Sequence, residues 1–196
     1  SDTRKRLTEE MTQEGNNTET CNEKKNYIVN VGRFIKSKNQ RELIDIFTLV
    51  NDGSWKLIFV GDGPCRKECM DYVSQKGISS YVEFVGVVKD VDRYLAQSKI
   101  FAFVSTSEGF PNALGEAVLF PTASISYNCP AGPEDIIRDD ENGFLVPLGK
   151  VEEYATKLKM LMESEELRTR FEMNAVSDRS KYSMENIGES FFNFMF

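Results

Sequence analysis

The sequence predicts an α/β fold with a parallel sheet of about six strands and helices on both of its faces. Short apolar runs alternate with amphipathic stretches from residue 27 onward, which is typical of a sheet built from strand–helix–strand units. Glycine-containing polar motifs follow several of the apolar runs, and ligands bind at the carboxyl ends of strands in such sheets. Beyond Gly149 the pattern is helical only. We therefore expect a Rossmann-like, doubly wound sheet followed by C-terminal helices.

Six segments have the length and the apolar character of buried parallel strands. They are Tyr27–Val31, Lys56–Val60, Val82–Val85, Ile100–Val104, Ala123–Ser126 and Phe144–Val146. Helical spacing predicts helices between or after them, over Asn39–Val50, Pro64–Gln75, Val91–Gln97, Gly115–Phe120 and Glu134–Arg138. The C-terminal helices are predicted over Val151–Glu163, Glu165–Lys181 and Met184–Phe194.

The length of 196 residues allows one domain with a sizeable core and a tail. Residues 27–196 carry the alternating pattern, whereas residues 1–26 are polar, so we predict a linker or a disordered tail there. The formal net charge is -7, from 24 Lys and Arg and 31 Asp and Glu. This balance argues against a nucleic-acid partner, whose binding surface would be basic. No apolar run approaches a membrane span, and no signal peptide is recognised.

The cysteines and the absence of histidine bear on metal and acid–base chemistry. Four cysteines stand at positions 21, 65, 69 and 129. A zinc site needs four ligands at a recognisable spacing, so we expect free thiols rather than a metal or disulfide site. The chain has no histidine, which removes the usual general base of a hydrolase triad.

Residues 105–120, STSEGFPNALGEAVLF, form the most informative stretch. They follow an apolar run and contain two glutamates, Glu108 and Glu116, which are separated by seven residues. The first part does not suit a helix interior, because glycine has too much conformational freedom and proline lacks an amide hydrogen. The residues that argue against a helix there are Gly109, Pro111, Asn112 and Gly115. Apolar residues at helical spacing begin at Leu114. The stretch therefore predicts a strand, a tight loop and a helix with Glu116 in its first turn.

The predicted loop suits a bound anion. Free backbone amides and the positive end of a helix dipole would point into one small space, where a phosphate could bind. Because a carboxylate would repel that phosphate, Glu108 and Glu116 would instead accept hydrogen bonds from sugar hydroxyls. The alternative is that both glutamates are solvated acids around a connecting loop, the usual interpretation of an isolated pair of acids.

Two further loops carry candidate residues. Arg33 follows the end of the first predicted strand in Val31-Gly32-Arg33, and Lys38 comes five residues after it. Two cations beside a strand–helix loop can neutralise a pyrophosphate, although Lys36 could replace part of this role and surface cations are usually only solvated. Gly61-Asp62-Gly63-Pro64 follows the second strand and is interpreted as a tight structural turn near the site.

Together these motifs resemble a known family. The segment E-G-F-P-N-A-L-G-E is similar to the E-x7-E motif of the retaining glycosyltransferases of family 4, which have the two-domain GT-B fold. Gly32, Arg33 and Lys38 match that family's G-R-x4-K motif, and G-D-G-P has a similar counterpart. The segments C-P-A-G-P-E-D-I-I and E-N-G-F-L-V-P look like those of bacterial transferases that build surface polysaccharides or lipid-linked oligosaccharides, often from UDP-N-acetylhexosamines. The resemblance covers about residues 27–190.

The resemblance implies a role for each motif. The chain would be the C-terminal, donor-binding half of a transferase that uses a UDP-sugar and needs no metal. Arg33 and Lys38 would hold the donor's diphosphate and stabilise its charge during transfer. Glu108 would bind the sugar near its reacting face, and Glu116 would bind the ribose. Val87 would contact the base, the alternative being a buried strand end. Other donor contacts would come from the loop residues Gly109, Phe110, Pro111, Asn112, Ala113 and Leu114.

The resemblance also implies partners outside this sequence. A glycan or lipid-linked acceptor would be held by an N-terminal domain that is absent here, so we expect the chain alone to be inactive. A cytoplasmic location is expected, with the full-length enzyme at the inner membrane surface. Two alternatives remain: a UDP-sugar epimerase of similar fold, for which the chain offers no acid–base pair, and a non-catalytic nucleotide-binding domain. Selective binding of UDP-sugars over other nucleotides would favour the transferase.

Overall fold

The predicted six strands form one parallel sheet in the computed structural model, which describes residues 24–120, 122–130 and 132–178. The strand order is β3-β2-β1-β4-β5-β6, and every neighbouring pair is parallel. The strands are β1 (Lys25–Val31), β2 (Lys56–Val60), β3 (Val82–Gly86), β4 (Ser98–Phe103), β5 (Ala123–Asn128) and β6 (Gly143–Pro147). The predicted α/β, Rossmann-like architecture is confirmed.

Helices connect successive strands, as parallel pairing requires. The described residues contain a short 3-10 helix, Lys36–Lys38, and seven α-helices. The α-helices are α1 (Gln40–Val50), α2 (Arg66–Gln75), α3 (Asp92–Gln97), α4 (Asn112–Ala117), α5 (Pro133–Ile136), α6 (Val151–Glu163) and α7 (Glu165–Asp178).

Apolar clusters cover both faces of the sheet. Successive residues of a strand point to opposite faces, and β4 shows this clearly. Ile100 and Ala102 belong to the cluster that contains α1 and α6, whereas Phe101 and Phe103 belong to the cluster that contains α4 and α5. Because the strands are buried on both faces, their sequences are almost continuous runs of apolar residues.

The order of the strands fixes where a ligand can bind. The chain proceeds from β1 outward to β3, and then returns to place β4 on the other side of β1. The connections after β1 and β4 therefore diverge, which opens a crevice between their carboxyl ends. The loop that carries Arg33 follows β1, and the loop that carries Glu108 follows β4. The two most informative motifs of the sequence thus meet at the topological switch point.

The prediction for helix α4 was wrong at both ends. It begins at Asn112 rather than Gly115 and ends at Ala117 rather than Phe120. Pro111 occupies the N-cap, and its carbonyl accepts hydrogen bonds from the amides of Leu114 and Gly115. Gly115 lies inside the helix and faces Ile136 of α5, 3.8 Å from where a Cβ would stand. Glu116 is consequently in the second turn and not in the first.

The other helix boundaries differ less. Helix α5 ends at Ile136, two residues before the predicted end, because the Asn142 side chain accepts the amide of Arg138 and draws the chain into a turn. Helix α6 has the predicted bounds. The predicted end of the next helix at Lys181, the helix Met184–Phe194 and most of the predicted tail lie outside the described residues.

Three further observations concern the described part of the chain. Cys65, Cys69 and Cys129 are free thiols. No group of three or more cysteine or acidic side chains in this part could hold a metal ion. None of its helices combines the length and the apolar character needed to cross a lipid bilayer.

Candidate functional site

The site lies at the carboxyl ends of β1 and β4, and an ion pair joins its two loops. The ammonium of Lys38 donates a hydrogen bond to Oε1 of Glu108 at 2.5 Å. Their side chains are 22% and 9% exposed, so solvent screens this pair less than it screens a surface pair. The sequence indicated both residues, but it gave no sign that they contact each other across 70 positions.

The position of the Lys38 side chain is fixed by its surroundings. Its stem crosses Gly32, where an added Cβ would stand 3.8 Å from the Lys38 Cδ. Its ammonium lies 5.7 Å from the centre of the Phe103 ring, at the end of β4. Lys36, by contrast, lines a surface hollow together with Cys65 and with Glu68 and Cys69 of α2. Of the two lysines, therefore, only Lys38 lies against Glu108.

Backbone contacts hold the two loops together independently of the ion pair. The amide of Thr106 donates to the carbonyl of Ser37 at 2.8 Å, and the Thr106 hydroxyl reaches the same oxygen at 3.3 Å. Ser37 precedes Lys38, and Thr106 lies two residues before Glu108. This tie sets the spacing of the cation and the carboxylate through the backbone.

Arg33 is exposed on the same loop as Lys38, and its side chain forms no ion pair with any residue that the structure describes. Its backbone is held by Gln40, a buried residue at the start of α1 whose side-chain amide donates to the Arg33 carbonyl at 3.1 Å. The sequence reasoning missed Gln40. Its spacing from Leu43, Ile44 and Phe47 places it on the buried face of α1, and that spacing could have revealed it.

The loop after β2 supports the Arg33 loop from the other side. Gly61 has a φ of 134°, and a Cβ there would stand 2.1 Å from the carbonyl oxygen of Gly32. Gly63 has a φ of 156°, and a Cβ there would stand 2.4 Å from the carbonyl oxygen of Phe34. The amide of Phe34 also donates to the carbonyl of Asp62 at 2.9 Å. The structural interpretation of the G-D-G-P turn agrees with these contacts.

The loop predicted to be rich in free amides offers fewer of them. Pro111 has no amide hydrogen, the amide of Asn112 donates to the Phe110 carbonyl at 3.0 Å, and that of Leu114 donates to the Pro111 carbonyl at 2.9 Å. The Leu114 side chain is buried in the core. The expectation of free amides throughout 109–114 was therefore wrong, because the helix starts earlier than predicted. Gly109 and Phe110 are exposed, and Ala113 is half-buried.

The remaining predicted residues lie around this centre. Glu116 is exposed on α4 and forms no ion pair with a described residue. Val87 follows β3 and is 81% exposed, so the alternative interpretation of a buried strand end was wrong. It follows the edge strand, two strands from β1, which is about 10 Å along the sheet. Phe110, two residues after Glu108, is 56% exposed.

The loop after β5 closes the back of the site. Gly132, at φ 112°, packs against Pro111, and a Cβ there would stand 2.5 Å from the Pro111 ring. Cys129 is buried nearby. Burial and then the negative charge of Glu108 raise the pKa of the Cys129 thiol, while the charge of Lys38 opposes this rise. No pattern in the sequence predicts that this thiol lies near the ion pair.

The arrangement has a clear chemical character. Two cations, Arg33 and Lys38, stand on the loop after β1, the Lys38 ammonium lies over the Phe103 ring, and one carboxylate is paired with Lys38. Guanidinium and ammonium groups bind phosphate oxygens strongly, the first as a fork and the second as a point charge. A carboxylate beside them can accept hydroxyl hydrogen bonds. The site therefore suits a ligand that joins a phosphate to a hydroxylated group.

Comparisons with known proteins agree with this character. The family model described as Glycosyl transferases group 1 matches residues 12–178. The amylovoran biosynthesis glycosyltransferase AmsD of Erwinia amylovora is 33% identical over 164 residues, which are 84% of this chain and 46% of that protein. In Campylobacter jejuni, the N-acetylgalactosamine-N,N'-diacetylbacillosaminyl-diphospho-undecaprenol 4-alpha-N-acetylgalactosaminyltransferase is 28% identical over 158 residues, covering 81% of this chain and 43% of the enzyme. The chain spans a little under half the length of these relatives.

Among solved structures, a TarM mutant of S. aureus in complex with fondaparinux, alpha-GlcNAc-glycerol and UDP matches with a TM-score of 0.83 and 23% identity. The match covers 91% of this chain and 36% of that one. This likeness shows the fold. The family match extends over most of the chain and includes the loops of Arg33, Lys38 and Glu108. The chain therefore belongs to the group 1 glycosyl transferase family.

Proposed function

We propose that this chain binds the nucleotide-sugar donor of a retaining glycosyltransferase, with UDP as the nucleotide. The observation that carries the proposal is the Lys38–Glu108 ion pair at the switch point of the sheet, on whose Lys38 loop Arg33 is also exposed. A cation that would bind the diphosphate, Lys38, and a carboxylate that would bind the sugar, Glu108, are therefore in direct contact. A nucleotide-sugar joins the same two groups in the same order.

The donor would extend along the carboxyl edge of the sheet. Its diphosphate would lie on Arg33 and Lys38, and its sugar on Glu108 beside Gly109 and Phe110. The base would reach toward Val87, about two strand spacings away. Glu116 would accept hydrogen bonds from the ribose. Pro111, Asn112 and Ala113 would border the sugar.

The same residues would stabilise the transition state. As the bond between sugar and diphosphate breaks, negative charge grows on the leaving oxygen, and fixed cations there stabilise it more than they stabilise the bound donor. Arg33 and Lys38 would supply this effect without a metal ion. Glu108 would stabilise the positive charge that develops on the sugar ring. These three residues are the proposed catalytic residues.

The sugar, the acceptor and the cellular setting are proposed from the names of the relatives. One relative acts in amylovoran biosynthesis, and another transfers N-acetylgalactosamine onto an undecaprenyl-diphosphate-linked glycan. A TarM mutant was solved with UDP and alpha-GlcNAc-glycerol. We accordingly propose transfer of an N-acetylhexosamine to a glycan or lipid-linked acceptor in bacterial surface polysaccharide synthesis. The acceptor would be held by the other half of the protein, at the cytoplasmic face of the membrane.

The binding proposal is tested by replacing Arg33 with alanine. Loss of a charge-assisted contact costs about 1.5–3 kcal/mol, so UDP affinity should fall about 10- to 150-fold. Isothermal titration calorimetry of UDP in metal-free buffer measures this change. Arg170→Ala is the matched control, because Arg170 is an exposed arginine within α7 that forms an ion pair with Asp140. An equal loss in both variants, or no loss in Arg33→Ala, would remove the diphosphate from this position.

A second expectation concerns catalysis by the chain alone. Retaining transferases with two domains close the site between them, so the chain should bind UDP-sugar without transferring the sugar. Incubation with UDP-N-acetylglucosamine and lipid-linked acceptors, followed by mass spectrometry, should give no glycosylated product. Turnover by the purified chain would show that acceptor binding resides in these residues.

A further inference from the structure

We infer that Glu108 makes the site prefer the intact UDP-sugar over free UDP. Its carboxylate does this by holding Lys38 and by repelling the more highly charged phosphate of UDP. The inference rests on the proposed function, because it requires that the diphosphate bind at Arg33 and Lys38. Beyond that function, Glu108 would make the site bind the donor more tightly than the by-product UDP. The release of UDP after transfer would then be faster.

Lys38 has a partner within the chain itself. Its ammonium donates to Glu108 at 2.5 Å in surroundings where the Glu108 side chain is 9% exposed. An arriving diphosphate must share this cation with the carboxylate or displace it. Either event costs part of the attraction between the two side chains, and this cost is larger than at an open surface.

Glu108 cannot easily leave. The tie between Thr106 and Ser37 fixes the backbone of both loops at this spacing, and Gly132 packs against Pro111 on the far side of the Glu108 loop. The Lys38 ammonium is held between Glu108 and the Phe103 ring. The negative charge of Glu108 therefore remains beside any phosphate that Lys38 binds.

UDP and the UDP-sugar differ in charge. The terminal phosphate of UDP has a second ionisable oxygen, and such a phosphate carries about -1.5 to -2 charges at neutral pH. In the UDP-sugar this oxygen is esterified, so the charge beside Glu108 is lower by nearly one unit. The sugar also brings hydroxyl groups that can donate to the carboxylate. Glu108 thus disfavours UDP through repulsion, whereas it gains hydrogen bonds from the donor.

The test is a pair of titrations, with UDP and with UDP-N-acetylglucosamine, on the wild type and on Glu108→Gln. The variant keeps the size of the side chain and removes its charge. We expect UDP to bind about three- to tenfold more tightly, because Lys38 is released and the repulsion is lost. The affinity for UDP-N-acetylglucosamine should stay the same or fall, so the preference for the donor should decrease by at least about three- to tenfold.

Glu163→Gln is the matched control for the change in net charge. Glu163 belongs to an exposed ion pair with Lys159 and lines a hollow with Asn26 and Trp55, at the opposite edge of the sheet. Neither affinity should change in this variant. If Glu108→Gln fails to fold in a thermal melt, Glu108→Ala serves as the second variant with the same expected direction.

The outcomes separate this inference from the proposed function. If UDP binding is unchanged or weaker in Glu108→Gln while Arg33→Ala still loses UDP, the inference is wrong and the proposed function stands. If neither variant changes the affinity for UDP, the diphosphate is not at this site and both fail. Tighter binding of UDP together with an unchanged or weaker donor supports the inference.

Discussion

Gly61→Ala should lower the free energy of unfolding by more than about 3 kcal/mol and abolish UDP binding in the folded fraction. The added Cβ would stand 2.1 Å from the carbonyl oxygen of Gly32 and 2.9 Å from its carbonyl carbon. Both are backbone atoms beside the Arg33 loop, so no side chain can move aside. Gly61 also has a φ of 134°, which residues with a side chain rarely adopt. Urea denaturation followed by circular dichroism measures the loss.

Gly77→Ala is the control that separates the two causes. Gly77 also has a positive φ, 70°, but a Cβ there would meet nothing within 4 Å. The cost should therefore be only that of the backbone conformation, about 1 kcal/mol. Equal losses in both variants would mean that backbone conformation, and not the contact between the loops, explains the effect of Gly61→Ala.

Lys38→Met should weaken UDP binding more than Arg33→Ala does, by about 100- to 1,000-fold. The variant removes a charge-assisted contact with the diphosphate and leaves the Glu108 carboxylate unpaired in a partly buried position. The unpaired charge then repels the ligand at close range. Calorimetry with UDP measures the loss, and a thermal melt establishes that the variant is folded.

The double variant Lys38→Met with Glu108→Gln tests the second half of this explanation. Removing the unpaired carboxylate should restore part of the UDP affinity that Lys38→Met loses. Side chains in direct contact are expected to be non-additive in such a cycle. A double variant that binds UDP no better than Lys38→Met would show that the charge of Glu108 does not reach the ligand.

The sequence predicted the sheet better than it predicted the site. All six strands lie within two residues of their predicted ends, because strands buried on both faces are continuous apolar runs with turn residues around them. The predicted start of α4 is wrong because Gly115 and Asn112 disfavour a helix interior in general but not in this helix. In the structure Pro111 provides the N-cap, and the small Gly115 allows α5 to pack closely.

The contact between Lys38 and Glu108 could not be predicted from the sequence. It depends on β1 and β4 being neighbours, and an alternation of strands and helices does not reveal the order of strands in the sheet. The exposure of Val87 has a similar cause. An apolar residue at the end of a strand is typical of a buried position. However, β3 is the edge strand, and Val87 in the loop that follows it is exposed to solvent. Gln40, in contrast, could have been identified from its helical spacing.

A crystal structure of this chain with UDP would locate the diphosphate directly. We expect the diphosphate between β1 and β4, with its oxygens about 2.7–2.9 Å from nitrogen atoms of both Arg33 and Lys38. The uracil should lie on the Val87 side. A second position is available to a diphosphate, in the hollow lined by Lys36, Arg41 and Cys65. If UDP is bound there, with Lys38 still donating only to Glu108, the diphosphate does not bind at Arg33 and Lys38 and the proposed site is wrong.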